Sequence, residues 1–256
     1  MVAGFCCVEN VYNTSCSGDG HLKIVQLLMV KDSMKKHIFC FALMLGLAVT
    51  WCTGANGTDL EGNAFPEFDI WIGLDEEQKN RIFILNSYAD EPSFEYNETA
   101  LGISWDQRFH ESWSWRAGVR YIDKQVDPPD ANETRGVLDL KWFKPLGGEW
   151  LLTDRNRLDL RWFDGNYDMS FRYRNRLMIE KPFVIANYTM TGFASYEAYF
   201  DSRYSKVIQR NRFIAGVSFP CTKWASVDLF YGYHIESAPK HETGGAIGVA
   251  FGFYFY

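Results

Sequence analysis

The sequence predicts an all-β protein: an antiparallel transmembrane β-barrel of about 12 strands, with 10 as the alternative, preceded by a cleaved signal peptide. Three observations predict it. From residue 66 onward the dominant period of apolar and polar residues is two, the pattern of a strand with two different faces. Aromatic residues make up 17% of the chain, enough to furnish rings at two membrane interfaces. No stretch after residue 55 approaches the ~20 consecutive apolar residues of a spanning helix. The slightly negative mean hydropathy does not oppose this reading, because alternating strands average towards neutrality.

The targeting segment comes first in chain order. Met34-Lys35-Lys36 precedes an apolar run from Ile38 to Val49, and Thr53-Gly54-Ala55 supplies small residues at the positions a signal peptidase reads. Residues 34–55 are therefore expected to be a Sec-type signal peptide cleaved after Ala55. Trp51 before Cys52 is a poor fit to a lipoprotein signal. Residues 1–33 read either as an upstream leader or as a start codon assigned too early, with Met34 the true start. Residues 56–256 are expected to form a single barrel domain. Five of the six cysteines precede residue 56, leaving only Cys221, so no disulfide framework is available. Removing residues 1–55 leaves a net charge of −7, which argues against a nucleic-acid surface.

Eleven candidate strands follow, at 67–74, 80–88, 99–109, 113–123, 135–143, 150–163, 168–180, 191–201, 207–219, 224–236 and 244–256. Between them stand Asp127-Pro128-Pro129-Asp130, Pro145-Leu146-Gly147-Gly148, Asp164-Gly165-Asn166 and Pro220-Cys221, all turn formers. The alternation is clearest late in the chain. Leu158, Leu160 and Trp162 oppose Arg155, Arg157, Asp159 and Arg161; Phe171, Tyr173, Leu177 and Ile179 oppose Arg172, Arg174, Arg176 and Glu180. Leu229, Tyr231, Tyr233 and Ile235 oppose Asp228, His234 and Glu236. Single-chain bacterial barrels carry even strand numbers. Eleven candidates therefore suggest a twelfth strand hidden near 182–190, or a first strand outside the closed wall. Counting back from a periplasmic Tyr256 places 124–134 and 89–98 outside the cell and the short turns at 145–149, 110–112 and 220–223 in the periplasm.

Two resemblances stand beside this reading. The aromatic end Phe251-Gly252-Phe253-Tyr254-Phe255-Tyr256 looks like the signal read by the barrel-assembly machinery. The order of motifs resembles an uncharacterised outer-membrane barrel family, domain-of-unknown-function family 2490. The residues that carry it are Arg155-Asn156-Arg157-Leu158-Asp159-Leu160-Arg161, Arg172-Tyr173-Arg174-Asn175-Arg176, Tyr196-Glu197-Ala198-Tyr199-Phe200 and Asn211-Arg212-Phe213-Ile214-Ala215-Gly216, followed by a Tyr-rich hairpin. The resemblance implies a barrel in a Gram-negative outer membrane and supplies no activity.

The candidate site is the polar face of the strands between 150 and 236. Arg155, Arg157, Arg161, Arg172, Arg174, Arg176, Arg210 and Arg212 are expected to face the lumen with Asp159, Glu180, Glu197, Asp201, Asp228 and Glu236. Arginine pairs with carboxylates through a rigid two-pronged fork. The plain reading is a salt-bridged plug that holds the barrel's shape. The functional reading is a narrow channel or ligand-binding barrel for a small anionic solute, using arginines left over from pairing. No catalysis, cofactor or metal is expected, since the five histidines lack metal-ligand spacing. Two other classes stay open: a membrane-embedded lipid-modifying hydrolase, and a surface adhesion or assembly factor acting through external loops. For the hydrolase, His110-Glu111-Ser112 has a His-x-Ser spacing that resembles outer-membrane lipid A deacylases, and His234 beside Glu236 could form half of an acid–base pair. Four Asn-x-Thr sequences, at Asn56, Asn97, Asn132 and Asn187, are chance matches in a bacterial reading.

Overall fold

A computed structural model describes residues 63–91, 96–125, 132–164, 169–204, 208–237 and 241–256. The expected leader, signal segment and cleavage site, and the Pro128-Pro129 segment, lie outside the described residues. The described chain is a meander of eleven strands: β1 (Asn63–Gly73), β2 (Asn80–Glu91), β3 (Tyr96–His110), β4 (Trp113–Gln125), β5 (Glu133–Gly147), β6 (Trp150–Phe163), β7 (Ser170–Ile185), β8 (Tyr188–Asp201), β9 (Arg210–Thr222), β10 (Ala225–Glu236) and β11 (Glu242–Phe255). Each strand pairs with its sequence neighbours, and β1 closes onto β11, so the sheet is a closed barrel with no free edge.

The strand number is eleven, not twelve or ten. The segment near 182–190 holds no separate strand: β7 runs to Ile185, turns at Ala186 and Asn187 with φ of 48° and 68°, and returns as β8. The first candidate strand belongs to the wall. Because strands of a meander alternate in direction, an odd number brings the first and last together in the same sense. β1 and β11 accordingly pair in parallel over ten rungs, from Asn63↔Ala246 to Ile72↔Phe255. The other neighbouring pairs are antiparallel. One rim carries the tight turns between β1 and β2, β3 and β4, β5 and β6, β7 and β8, and β9 and β10, together with Tyr256. The other rim carries the longer connections and the start of β1.

The period of two sorts the side chains. Leu101, Ile103, Val119, Leu138, Leu160, Phe171, Leu177, Tyr231 and Ile247 point outward and are exposed. Trp113, Trp150 and Trp224 mark the short-turn rim of this outer face, while Tyr121, Trp162 and Phe171 lie towards the other. Glycines open small gaps that cross-strand rings cover. Tyr231 lies where a Cβ on Gly245 would be, and Phe230 does the same inside at Gly248.

Candidate functional site

The inner face is charged, and its acids and arginines meet in three groups. Near the short-turn rim, Asp106 of β3 is fully buried and takes Arg81 of β2, Arg116 of β4 (Nε at 3.2 Å) and Lys141 of β5 at 3.6 Å. The Arg81 and Arg116 guanidinium groups lie 4.6 Å and 4.7 Å from the centre of the buried Trp71 ring, which packs 4.4 Å from Phe83. A ring face attracts cations that have lost water.

In the middle of the wall, Asp139 of β5 accepts a two-pronged contact from Arg157 of β6, Nε at 2.5 Å and Nη2 at 2.7 Å. Asp159 pairs with Arg174 of β7 at 3.1 Å. Glu197 of β8 receives Arg155 at 2.6 Å and Arg176 at 3.6 Å, and the Tyr199 hydroxyl donates to its other oxygen at 2.9 Å. The buried Tyr199 ring is surrounded by Arg172, Arg174, Arg210 and Arg212, whose guanidinium carbons lie 5.4–6.0 Å from its centre. At the opposite rim, Glu133 of β5 accepts from Arg161 Nε at 2.5 Å, Arg161 Nη2 at 2.7 Å and Arg135 Nε at 2.8 Å. Asp201 takes Arg161, Arg172 and Arg203 at 2.6, 3.0 and 3.1 Å, and Glu236 takes Arg210 at 2.7 Å.

The register explains why so many acids are needed. Arg155 lies directly opposite Arg176, and Arg157 opposite Arg174, on adjacent strands. Like charges in that position repel, so carboxylates from flanking strands are drawn between them. Seven carboxylates carry twelve cationic side chains, while the interior acids Asp69, Glu180 and Asp228 stand outside these pairs. Arg120 and Arg212 belong to no ion pair among the described residues. Buried donors on Arg120 Nε, Arg155 Nε, Arg174 Nε and Arg176 Nε also find no protein acceptor.

Of the residues singled out from sequence, Arg155, Arg157, Arg161, Arg172, Arg174, Arg176, Glu197, Arg210 and Glu236 meet in these groups, joined by Asp159 and Asp201. Arg212 lies over the Tyr199 ring and opposite Glu197 in the register, without an ion pair among the described residues. Glu180 and Asp228 project into the nearer half towards the short-turn rim and form no ion pair among the described residues. Sequence reasoning missed the share contributed by β2 to β5: Arg81, Asp106, Arg116, Arg120, Glu133, Arg135, Asp139 and Lys141. Their signal was present, since Arg135, Val137, Asp139 and Lys141 alternate with Gly136, Leu138 and Leu140. His110 and Ser112 do not form a His–Ser pair. His110 is exposed at the end of β3, and its Nδ1 accepts from the Ser112 backbone N–H at 3.1 Å rather than from the hydroxyl. Among the described residues no group of three His, Cys, Asp or Glu is placed to hold a metal ion.

No curated protein matches this sequence. One family model does, over residues 68–244, and its description is a protein of unknown function (DUF2490). The match spans most of the barrel, from β1 into β11, and the chain belongs to that family.

Proposed function

We propose that the chain is a Gram-negative outer-membrane barrel whose arginine-rich interior accepts a small anionic solute, as a narrow channel or a binding barrel, without catalysis. The observation that carries this is the density of guanidinium groups inside the closed wall, where twelve cations share seven carboxylates in ion pairs and buried N–H donors on Arg120, Arg155, Arg174 and Arg176 find no protein acceptor. A buried polar group without a partner is costly, and a pure structural plug would satisfy its donors. Guanidinium groups with unused N–H donors suit planar oxyanions such as carboxylates and phosphates, which they grip in two-point contacts.

The outer face supports the membrane half of the reading. Its apolar side chains are too numerous and continuous for a water-exposed surface. Its tryptophans mark the short-turn rim as an interfacial girdle. Lys144 and Lys181 lie 5.8 Å and 5.1 Å from Trp142 and Trp150, where long basic side chains reach from apolar surface towards headgroups. The short-turn rim is then periplasmic and the longer connections external. Planar-bilayer recording in a salt gradient tests the function. The expected result is a current, or its block by phosphate, with a reversal potential on the anion side. Cation selectivity, or a silent barrel that phosphate neither blocks nor stabilises against heat, would overturn it.

A further inference from the structure

The outer wall of β6 and β7 carries polar side chains that bond to one another, whereas Asn86 of β2 stands singly on that face. The neighbours of Arg155, Arg157, Arg174 and Arg176 must face outward, and the polar ones besides Tyr173 are Asp154, Asn156 and Asn175. They form one network. The Tyr173 hydroxyl donates to Asn156 Oδ1 at 2.5 Å, and Asn175 Nδ2 donates to Asp154 Oδ1 at 2.7 Å and to Asn156 Oδ1 at 3.2 Å. On the next strand pair, the Tyr196 hydroxyl donates to Asn211 Oδ1 at 2.7 Å. Asn156, Asn175 and Asn211 lie on one rung, separated only by the small Ala198.

The register fixes the height of this patch. The rung through Asn156 starts at Asn80, the first residue of β2 at the short-turn rim, and climbs through Gln107, Trp115 and Leu140. It then passes Asn175, Ala198 and Asn211 to Ile235 near the opposite end of β10. Asn156 is on the fifth of its nine strands, halfway up the wall. Asp154, Asn156 and Asn175 therefore sit far from either rim, where headgroups and water would satisfy them, while Asn211, the second residue of β9, lies near the rim of the longer connections. In hydrocarbon, each unmatched polar group costs several kcal/mol, and polar side chains at that depth mark contacts with protein.

We propose that this patch is the interface between two copies of the chain, packed side by side in the membrane about a two-fold axis. The proposal rests on the membrane reading above and is independent of what the interior binds. Internal bonds use the Asn156 oxygen, the Asn175 amide N–H groups and one Asp154 oxygen. They leave the amide N–H groups of Asn156 as donors and the Asn175 oxygen and the second Asp154 oxygen as acceptors. A patch with both spare donors and a spare anionic acceptor complements itself when turned through a two-fold, as an isologous interface requires. Acyl chains offer neither group, and a headgroup would have to leave its own layer to reach it.

The test places a photo-crosslinking benzoylphenylalanine at Leu177, beside the patch, or at Ile247 on the far side of the barrel, in the full chain in native membranes. The expected result is a product of twice the chain mass from position 177, at least tenfold above that from 247. A second chain carries Asp154→Leu, Asn156→Leu and Asn175→Leu together. It is expected to remain a heat-modifiable barrel in the membrane fraction while the crosslinked yield from 177 falls at least tenfold. Equal yields at both positions, no product, a product of another mass, or a dimer that survives the triple change would each sink the interface. A chain absent from the membrane fraction would instead refute the membrane reading on which it stands.

Discussion

Asp139 accepts both prongs of the Arg157 guanidinium, and Asp159, two rungs away inside the wall, holds Arg174 at 3.1 Å. Removing one partner of such a buried pair leaves the other charge uncompensated, but here the neighbourhood is crowded. Arg174→Leu removes the ion-pair partner of Asp159 while Arg157 and Arg135 still face that carboxylate. We expect the variant to assemble, to lose about 1–3 kcal/mol, and to shift the reversal potential away from anions. Its neighbour behaves oppositely. Tyr173 is exposed on the outer face and its ring packs at a tilt 5.7 Å from Phe200. Tyr173→Arg places a charge in lipid at roughly 2–4 kcal/mol and should abolish the heat-modifiable form on a gel. A folded Tyr173→Arg beside an unassembled Arg174→Leu would mean that this strand has its faces reversed.

Two features of individual elements decide how closely the strands approach. Gly118 of β4 has its missing Cβ aimed at the Ile103 carbonyl oxygen and the Ser104 side chain of β3, so no methyl fits there. Gly118→Ala should therefore cost about 1–3 kcal/mol, as overpacking does. Gly232 of β10 has only Ile214 and Ala246 atoms at 3.9 Å and 4.0 Å from the same point, so Gly232→Ala should change stability by no more than about 0.5 kcal/mol. Urea midpoints of the refolded barrels separate the two.

The turn between β1 and β2 depends on Asp75. Its Oδ1 accepts from the Lys79 N–H at 2.8 Å, and its Oδ2 accepts from the Asn80 N–H and side-chain amide at 2.7 Å each. Desolvation works upward on this carboxyl, but those hydrogen bonds outweigh it and hold the pKa below the ordinary 3.8. A pKa depressed by folding gives stability that is complete above the unfolded value and is lost as pH falls through the folded one. A carboxyl carbon titration followed by NMR should place the Asp75 midpoint below 3.8; a midpoint above it would refute the cap.

At the scale of the molecule, the odd strand number makes a parallel seam. Phe68 and Phe251 are partners across it, with rings stacked 5.1 Å apart on the outer face. A chain with Phe68→Cys and Phe251→Cys should form a disulfide on oxidation, since partnered Cβ atoms fall near the ~3.5–4.5 Å that a disulfide spans. Phe68→Cys with Ile247→Cys, four residues out of register, should not. Reversed yields would show that an extra strand closes the barrel antiparallel.

What the sequence by itself determined was local. A period of two says which side chains share a face, because successive Cβ atoms on a strand point oppositely whatever the partner. Hence Arg172, Arg174 and Arg176 could be separated from Phe171, Tyr173 and Leu177 before any pairing was known, and the eleven strand cores were placed within a few residues. The tertiary structure decided what depends on neighbours. Closure in parallel follows from how many strands meet around a ring, and parity alone pointed to twelve. The partners of each arginine depend on register, which brought Asp139 to Arg157 and left Arg120 and Arg212 outside the ion pairs among the described residues. Asn156 and Asn175 are single polar residues within two strands, and only cross-strand registration shows that they form one patch halfway up the wall.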